Sequence, residues 1–220
     1  MAELKIAVFL YCEGTTDYAV FPVFMKKCLP NLEIRCIKKD ELKRGFRTHR
    51  KNKPLTGSYR NIKALAGIAS RSEIKNIAYH QDADRKYDEV YRAIEYEFKP
   101  LRTSGFCCLA IVPKEMTESW LLSDVKAINL LGDGIKNVSQ SPNPENLWGN
   151  EDDPNSNHPK KYLNRNLEEL GLDVSQDNIP RFFAQIAENT DIDVLTQRCP
   201  KSFGQFRTDM QTFISDGVTP

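Results

Sequence analysis

The chain has 220 residues, of which 40% are hydrophobic and 28% are charged, and its formal net charge is +1. This composition is that of an ordinary globular protein, and the length allows one domain with an appendage or two small domains. No apolar run approaches the roughly 20 residues that a membrane span needs, so we expect no membrane partner. The N-terminus leads into a predicted strand rather than a signal peptide. We therefore expect a cytoplasmic protein.

Short apolar runs alternate with amphipathic stretches over the first two-thirds of the chain. Four runs predict buried strands, over residues 5–12, 32–39, 74–82 and 104–113. The amphipathic stretches predict helices over residues 16–29, 58–72, 86–99 and 117–129. Pro22 must lie in the first turns of the first helix. Because strands and helices alternate, we predict an α/β fold with a mainly parallel sheet flanked by helices.

The periodicity is lost after about residue 131. Residues 139–161 contain four prolines and predict a long loop or an ordered lid. Residues 160–215 then contain four helical stretches, of which the first stops at Gly171 and the third is capped by Asp191. We therefore divide the chain into an α/β core at 1–131 and a helical C-terminal appendage, with its long loop, at 132–220.

Motifs for several other chemistries are missing. The six cysteines form no C-x-x-C pair and no His/Cys spacing suited to zinc, so we interpret them as reduced, mostly buried small hydrophobes. The sequence has no phosphate-binding G-x-x-x-x-G-K-[ST] loop, no G-x-S-x-G motif and no plausible Cys/His pair. These absences argue against a P-loop nucleotidase and against nucleophilic serine or cysteine catalysis.

Carboxylates follow three of the four predicted strands: Glu13 after the first, Asp82 and Asp84 after the third, and Glu115 and Glu118 after the fourth. Functional groups of an open α/β sheet gather beyond the carboxyl ends of its strands, so these side chains are expected to converge. Crowded carboxylates would repel one another unless a cation joined them. Hard oxygen donors without a histidine or thiolate cluster suit Mg²⁺ or Mn²⁺.

Each of these residues also has a purely structural explanation. Glu13 could stabilise the start of a helix, and a D-x-D pair could be a solvated turn, although two residues apart at a strand end they would face the same side. Glu115 and Glu118 could be a charged helix N-terminus. His80 is interpreted as a core histidine, with contact to a substrate phosphate as the alternative. The joint placement of the carboxylates favours the functional interpretation.

Residues 38–53 form an electropositive segment, with eight lysines and arginines against Asp40 and Glu41. The segment follows the second predicted strand and so lies near the same sheet edge. Phosphates attract such clusters, and interleaved aromatic residues can stack on bases. We assign nucleic-acid binding to Lys43, Arg44, Arg47, Arg50 and Lys51, with an ordinary solvated surface as the alternative.

The order strand–Glu–Gly–helix and then strand–Asp-x-Asp resembles the Toprim domain of topoisomerases, primases and OLD-family nucleases, over roughly residues 4 to 125. The resemblance implies a Toprim-like Rossmannoid core. It also implies that Glu13 acts as general acid/base or metal ligand and that Asp82 and Asp84 hold a divalent ion. The stretches "ESWLLSD", "HPKKYL" and "DIDVLTQRCPKSFGQF" resemble a Toprim-related family of poorly characterised bacterial proteins. Members are commonly encoded beside AAA-type or ABC-type ATPases in phage-defence operons.

The chain departs from the Toprim pattern after the D-x-D. Some Toprim proteins have a further aspartate there, whereas this chain has Asp84 followed by Arg85 and Lys86. An additional ligand would then come from Glu115, Glu118 or Asp124, and one metal ion or two are both open.

Together these observations predict a Mg²⁺- or Mn²⁺-dependent nuclease that cleaves DNA or RNA, acting as the effector of a phage-defence system with a partner ATPase. The alternative is a non-catalytic Toprim-like subunit that binds or regulates an ATPase complex. Nucleotidyl transfer of the primase kind is disfavoured, because the chain has no zinc module for a template.

Overall fold

A computed structural model describes the backbone of residues 5–46 and 57–217 and the side chains of residues 5–43 and 57–213. The strands are β1 (Ile6–Tyr11), β2 (Leu32–Cys36), β3 (Asn76–His80) and β4 (Cys107–Ile111). The helices up to the fourth strand are α1 (Phe21–Cys28), α2 (Lys39–Phe46), α3 (Ser58–Arg71) and α4 (Tyr87–Thr103). The later helices are α5 (Thr117–Leu121), α6 (Val125–Asn129), α7 (Pro159–Glu169), α8 (Ile179–Asn189), α9 (Ile192–Arg198) and α10 (Ser202–Gly217).

The four strands of the described chain form one parallel sheet in the order β2-β1-β3-β4. Tyr11 at the end of β1 pairs with Tyr79 of β3, and His80 at the end of β3 pairs with Ile111 of β4. The carboxyl ends of β1, β3 and β4 are therefore level with one another. This arrangement confirms the predicted α/β class with a parallel sheet flanked by helices.

Helices cover both faces of the sheet, so the central strands are buried on both sides. In β1, Val8 and Leu10 face the layer that contains α1, whereas Phe9 and Tyr11 face the layer that contains α2, α3 and α4. The chain therefore leaves β1 towards one face and β3 towards the other. The crevice between the ends of these two strands is the topological switch point, where ligands of open α/β sheets bind.

The C-terminal helices pack on the α1 face and share its core. The indole of Trp120 is fully buried, packs edge-on against Phe21 and Phe203, and donates its N–H to Ser202 Oγ at 2.8 Å. One continuous cluster of buried side chains runs from Val8 to Phe213. This cluster crosses residue 131 without a break. The division of the chain at that residue stays a prediction.

The predicted helix over 117–129 is two short helices, α5 and α6, with a break before Asp124. The Asp124 carboxylate caps α6 by accepting from the N–H groups of Lys126 at 3.0 Å and Ala127 at 3.5 Å. Its second oxygen accepts from the Asp191 N–H at 3.0 Å. Both oxygens of Asp124 are thus used to join α6 to α9 rather than to bind a ligand.

The segment between α6 and α7 is a packed loop with a single 3₁₀ turn at Pro144–Asn146. The buried Glu145 carboxylate accepts from the backbone N–H groups of Ser202 at 2.7 Å and Lys201 at 3.2 Å. It therefore satisfies donors at the start of α10 that would otherwise have no partner. The loop is tied by these bonds to the C-terminal helices.

Other expectations can be compared with the structure directly. All six cysteines are free thiols, and Cys12, Cys108 and Cys199 are buried. The helix stop at Gly171 has a φ of 80°, and Asp191 caps α9 through its side chain. Within the described ranges no helix has the length and apolarity to cross a membrane.

Candidate functional site

The candidate site lies at the switch point, where β1 and β3 end side by side. Glu13 and Asp82 each follow the last residue of their strand, Tyr11 and His80, by two positions. Burial and then the charge of Asp82 raise the pKa of Glu13, while His80 and a backbone hydrogen bond from Asp82 lower it. The parallel register therefore brings together the two carboxylates that the sequence placed at different strand ends.

His80 is the fully buried centre of this arrangement. Its Nε2 lies 3.1 Å from Asp82 Oδ1. Its Nδ1 lies 3.4 Å from the Glu13 backbone nitrogen and 3.3 Å from Asp17 Oδ2. The neutral ring, protonated on Nε2, donates to Asp82 and accepts from Glu13 N–H; the protonated ring instead donates to both aspartates. His80 thus bridges the ends of β1 and β3 in either charge state.

Asp17 is a buried carboxylate in the 3₁₀ turn Thr16–Ala19 that precedes α1. Its Oδ2 accepts from the Gly14 N–H at 2.9 Å, and its Oδ1 accepts from Thr117 Oγ1 at 2.8 Å. A Cβ at position 14 would lie 2.7 Å from Asp17 Oδ2, which is too close for van der Waals contact. Glycine follows Glu13 because the Asp17 carboxylate occupies that space.

Thr117, the first residue of α5, connects the two aspartates. Its backbone N–H donates to Asp82 Oδ1 at 3.1 Å, while its hydroxyl donates to Asp17. The network of Asp17, His80, Asp82 and Thr117 therefore joins the ends of β1, β3 and the β4–α5 connection. All of the bonds to the Asp82 carboxylate use Oδ1, which leaves Oδ2 for another partner.

The pKa shifts show that these groups act on one another. Burial and then the charge of Asp82 raise the pKa of Glu13, and His80 opposes them. Burial and the charge of Asp82 likewise raise the pKa of Asp84. Burial alone would lower the pKa of His80, but the bond to Asp82 and the charges of Asp17 and Glu13 raise it overall. The site is a coupled acidic cluster around one imidazole.

Two further carboxylates are buried close to the cluster. Burial, and then the charge of Asp82, raises the pKa of Glu118 to about 8. Burial raises the pKa of Glu115 to about 7, although Lys114 and Arg85 oppose the shift. Glu115 Oε2 has no hydrogen-bond partner among the described residues. Both carboxylates predicted after the fourth strand are thus near the site, and Glu118 interacts directly with Asp82.

The turn that carries Asp84 is strained. Asp84 and Arg85 have φ values of 44° and 72°, in the left-handed region that non-glycine residues rarely adopt. Their N–H groups donate to the carbonyls of Glu115 at 3.0 Å and Lys114 at 3.2 Å, which holds the turn against the β4–α5 connection. Because β3 ends at His80, the strand alternation that we expected to align Asp82 and Asp84 does not extend to them.

The described residues contain no group of three or more His, Cys, Asp or Glu side chains placed to hold a metal ion. Glu13, Asp82 and Asp84 nevertheless supply carboxylate oxygens, which are the donors that Mg²⁺ and Mn²⁺ prefer. The chemistry of the donor set therefore fits such an ion.

The predicted nucleic-acid segment is described only in part. It begins at the carboxyl edge of the sheet, where Ile37 N–H still donates to the Leu10 carbonyl of β1 at 2.8 Å. Lys43 is exposed on α2, with its Nζ 3.4 Å from Asp40 Oδ1. Arg44 contributes its backbone to α2. Arg47, Arg50 and Lys51 lie outside the described residues.

Sequence reasoning missed Asp17 and Thr117 and assigned His80 to the core. His80 is indeed buried, but it bonds to Asp82 and lies 3.3 Å from Asp17, which its position two residues before the D-x-D could have indicated. Asp17 could have been found in "EGTTD", because an aspartate three residues after a glycine can accept from the glycine N–H in a turn. Thr117 carries no sequence signal that distinguishes it from an ordinary helix start.

No protein-family model, no curated protein and no solved structure matches the chain. We therefore infer function from the geometry of the site residues and from the motif resemblance.

Replacing Gly14 by alanine should disrupt the network, because its Cβ would push against Asp17 Oδ2. We expect Gly14→Ala to destabilise the protein by roughly 1–3 kcal/mol, as overpacking of a buried site does. The control is Gly204→Ala in α10, where an added Cβ meets nothing within 4 Å. That change should be neutral or should stabilise by up to about 1 kcal/mol. Urea unfolding measures both, and equal effects would show that position 14 is not constrained.

Burial of Glu118 should make stability depend on pH. Its folded pKa of about 8 lies above the 4.5 of an ordinary glutamate, so the folded state binds the proton more tightly than the unfolded state. Wild-type stability should therefore fall as pH rises from about 5 to 8. Glu118→Gln keeps the shape without the charge and should flatten this decline. The prediction is contradicted if the melting temperature falls by the same amount between pH 5 and pH 8 in both proteins.

Proposed function

We propose that the protein is a divalent-metal-dependent nuclease that hydrolyses phosphodiester bonds at the switch point. The observation that carries the proposal is that the Glu13, Asp82 and Asp84 carboxylates lie close enough to interact electrostatically. The buried His80 joins the two strand ends by bonding to the Asp82 carboxylate and to the Glu13 backbone N–H. Such a coupled acidic cluster at the ligand-binding edge of an α/β sheet is typical of a catalytic site. The order of these residues in the Toprim-like motifs supports the same function.

Some residues of the site bind the metal ion, and another residue transfers the proton. Asp82 is oriented by His80 and Thr117 through Oδ1, so that Oδ2 can serve as a ligand. Glu13 is accessible to solvent although part of its surface is buried, and its raised pKa makes it a stronger base than a free glutamate. We assign Glu13 the role of accepting the proton of the attacking water. Asp84 supplies a third carboxylate from the strained turn.

Glu13, Asp82 and Asp84 would hold Mg²⁺ or Mn²⁺, with Glu118 or Glu115 as an additional carboxylate. A bound ion of this kind lowers the pKa of a water molecule and neutralises charge that develops on the phosphate. The proposed reaction acts on the phosphodiester group that DNA and RNA share.

The wider biological role rests on the motif resemblance alone. It assigns the protein to a phage-defence system, as an effector that a partner AAA-type or ABC-type ATPase controls. The electropositive segment 38–53, which begins at the same sheet edge, would hold the nucleic-acid backbone through its lysines and arginines.

The second candidate is a Toprim-like subunit without catalytic turnover that binds or regulates an ATPase complex. The observation that favours it is the absence, among the described residues, of a ready group of three metal ligands. Such a subunit would keep the fold and the His80 network and would not need to bind a cation.

Replacing Asp82 by asparagine tests the two candidates against each other. The change keeps the shape but removes a charge that should hold the ion, so Mn²⁺ should raise the melting temperature of the wild type and not of Asp82→Asn. Any cleavage of nucleic acid should drop by on the order of a hundredfold or more. Without metal the variant should still fold, because one source of like-charge repulsion is gone.

The control is Asp177→Asn, which removes the same charge from an exposed position between α7 and α8. It should respond to Mn²⁺ as the wild type does. If Mn²⁺ raises the melting temperature of Asp82→Asn and of the wild type equally, Asp82 is not a ligand and the regulatory candidate gains support.

Charge reversal at Arg44 and Arg47 tests the nucleic-acid segment. The double change to glutamate should weaken binding of all sequences alike, and the slope of log affinity against log salt should become shallower by roughly 0.9 per lost duplex phosphate contact. The matched control reverses Lys99 and Lys136, which are exposed elsewhere. Equal effects of the two double variants at several salt concentrations would assign 38–53 to ordinary surface.

A further inference from the structure

The loop between α6 and α7 presents a half-exposed tryptophan beside the candidate site. The side chain of Trp148 is 41% exposed, whereas the other tryptophan, Trp120, is fully buried. The guanidinium of Arg85 lies over the Trp148 ring, 5.3 Å from its centroid. The His158 ring packs against the same indole at 5.6 Å between centroids. An exposed indole with a cation on its face is a surface that suits an aromatic, anionic ligand.

Arg85 connects this surface to the carboxylates. It is adjacent to Asp84 in the strained turn, and its own φ of 72° places it in the left-handed region. Its guanidinium forms no hydrogen bond and no ion pair with another described residue, and it is exposed to solvent. Asp84 and His158 also interact electrostatically. Trp148 therefore contacts Arg85, which is the residue next to the proposed metal ligand Asp84.

The loop is held in position around Trp148. A Cβ on Gly149 would lie 2.9 Å from the His158 backbone nitrogen, so glycine allows two parts of the loop to approach closely. Arg165 of α7 donates to the carbonyls of Pro154 and Ser156, each at 2.6 Å. Lys114 Nζ donates to Asn146 Oδ1 at 2.6 Å, which ties the loop to the β4–α5 connection. A stacking surface that is fixed in this way loses little entropy on binding.

Cations near Trp148 can contact a polyanion. Burial lowers the pKa of His158, the charge of Glu151 opposes this shift, and the charges of Lys160 and Lys161 add to it. Lys160 forms an ion pair with Glu151 at 3.4 Å, whereas the guanidinium of Arg85 is exposed. Phosphates are attracted by such cations, and unstacked bases are bound by aromatic rings and arginine planes. A duplex keeps its bases stacked inside, so the surface fits a single strand.

We propose that Arg85 and Trp148 form a nucleobase platform, which binds an unstacked base of single-stranded nucleic acid next to the phosphate in the carboxylate site. This inference rests on the proposed nuclease function and names its substrate class. It makes the 148–158 loop part of the substrate-binding wall and gives the site a preference for single strands over duplexes.

Metal-free binding tests the platform without requiring cleavage. The probes are fluorescein-labelled ten-nucleotide oligothymidylates of DNA and RNA, an abasic phosphodiester chain of the same length, and a duplex, each in EDTA. Fluorescence anisotropy should show that the base-containing strands bind more tightly than the abasic chain and the duplex. Trp148→Ala should weaken binding of the base-containing strands by about 5- to 150-fold, the range measured for loss of one base–aromatic stack. Binding of the abasic chain should be unchanged.

Two variants serve as controls. Trp148→Tyr keeps an aromatic ring and should bind nearly as the wild type does. Tyr96→Ala removes an aromatic side chain that is 75% exposed on α4 and should leave binding unchanged. In addition, the unlabelled base-containing strand should quench the intrinsic fluorescence of the wild type and not that of Trp148→Ala, because Trp120 is buried. Melting temperatures show whether each variant is folded.

The inference is overturned if the abasic chain binds as tightly as the base-containing strands, or if Trp148→Ala and Tyr96→Ala behave alike. A cleavage assay of the wild type with Mn²⁺ separates this result from the proposed function. Cleavage together with unchanged binding by Trp148→Ala rejects the platform and keeps the nuclease. Base-dependent binding that needs Trp148 but leads to no cleavage rejects the nuclease and keeps the platform.

Discussion

The site depends on one constraint, which is that both nitrogens of the buried His80 imidazole need a polar partner. A buried polar ring without partners would cost free energy, and the carboxylates around it would repel one another. His80 meets both requirements, because Nε2 bonds to Asp82 and Nδ1 lies between Asp17 and the Glu13 backbone. The ends of β1 and β3 are joined by this ring, so the position of Asp82 follows from it.

Around this centre, several features that reduce stability lie at the carboxyl edge of the sheet. Glu118 is buried with its pKa raised to about 8, and Glu115 Oε2 is buried without a partner among the described residues. Asp84 and Arg85 occupy the left-handed region in succession. Glu145 differs from these two carboxylates, because it is buried but accepts hydrogen bonds from backbone N–H groups at the start of α10. Unfavourable groups that persist together are typical of sites shaped for a ligand.

The α/β class and the meeting of Glu13 and Asp82 at one edge of the sheet were predictable, because both follow from short-range patterns. Apolar runs specified the strands, and the rule for parallel sheets brought Glu13 and Asp82 to one edge. The remaining features depend on tertiary contacts, which produce no periodic pattern in the sequence. Asp17 and Thr117 became site residues only because α5 packs across the ends of β1 and β3. Likewise, the helix predicted over 117–129 breaks because Asp124 bonds to the distant Asp191.

We propose that Glu13, Asp82 and Asp84 bind a divalent cation at the switch point. The most direct measurement is an anomalous difference map from crystals soaked in Mn²⁺. The account predicts a peak at coordination distance, about 2.2 Å, from oxygens of at least two of these carboxylates. A peak elsewhere, or no peak at this edge of the sheet at millimolar Mn²⁺, would contradict it.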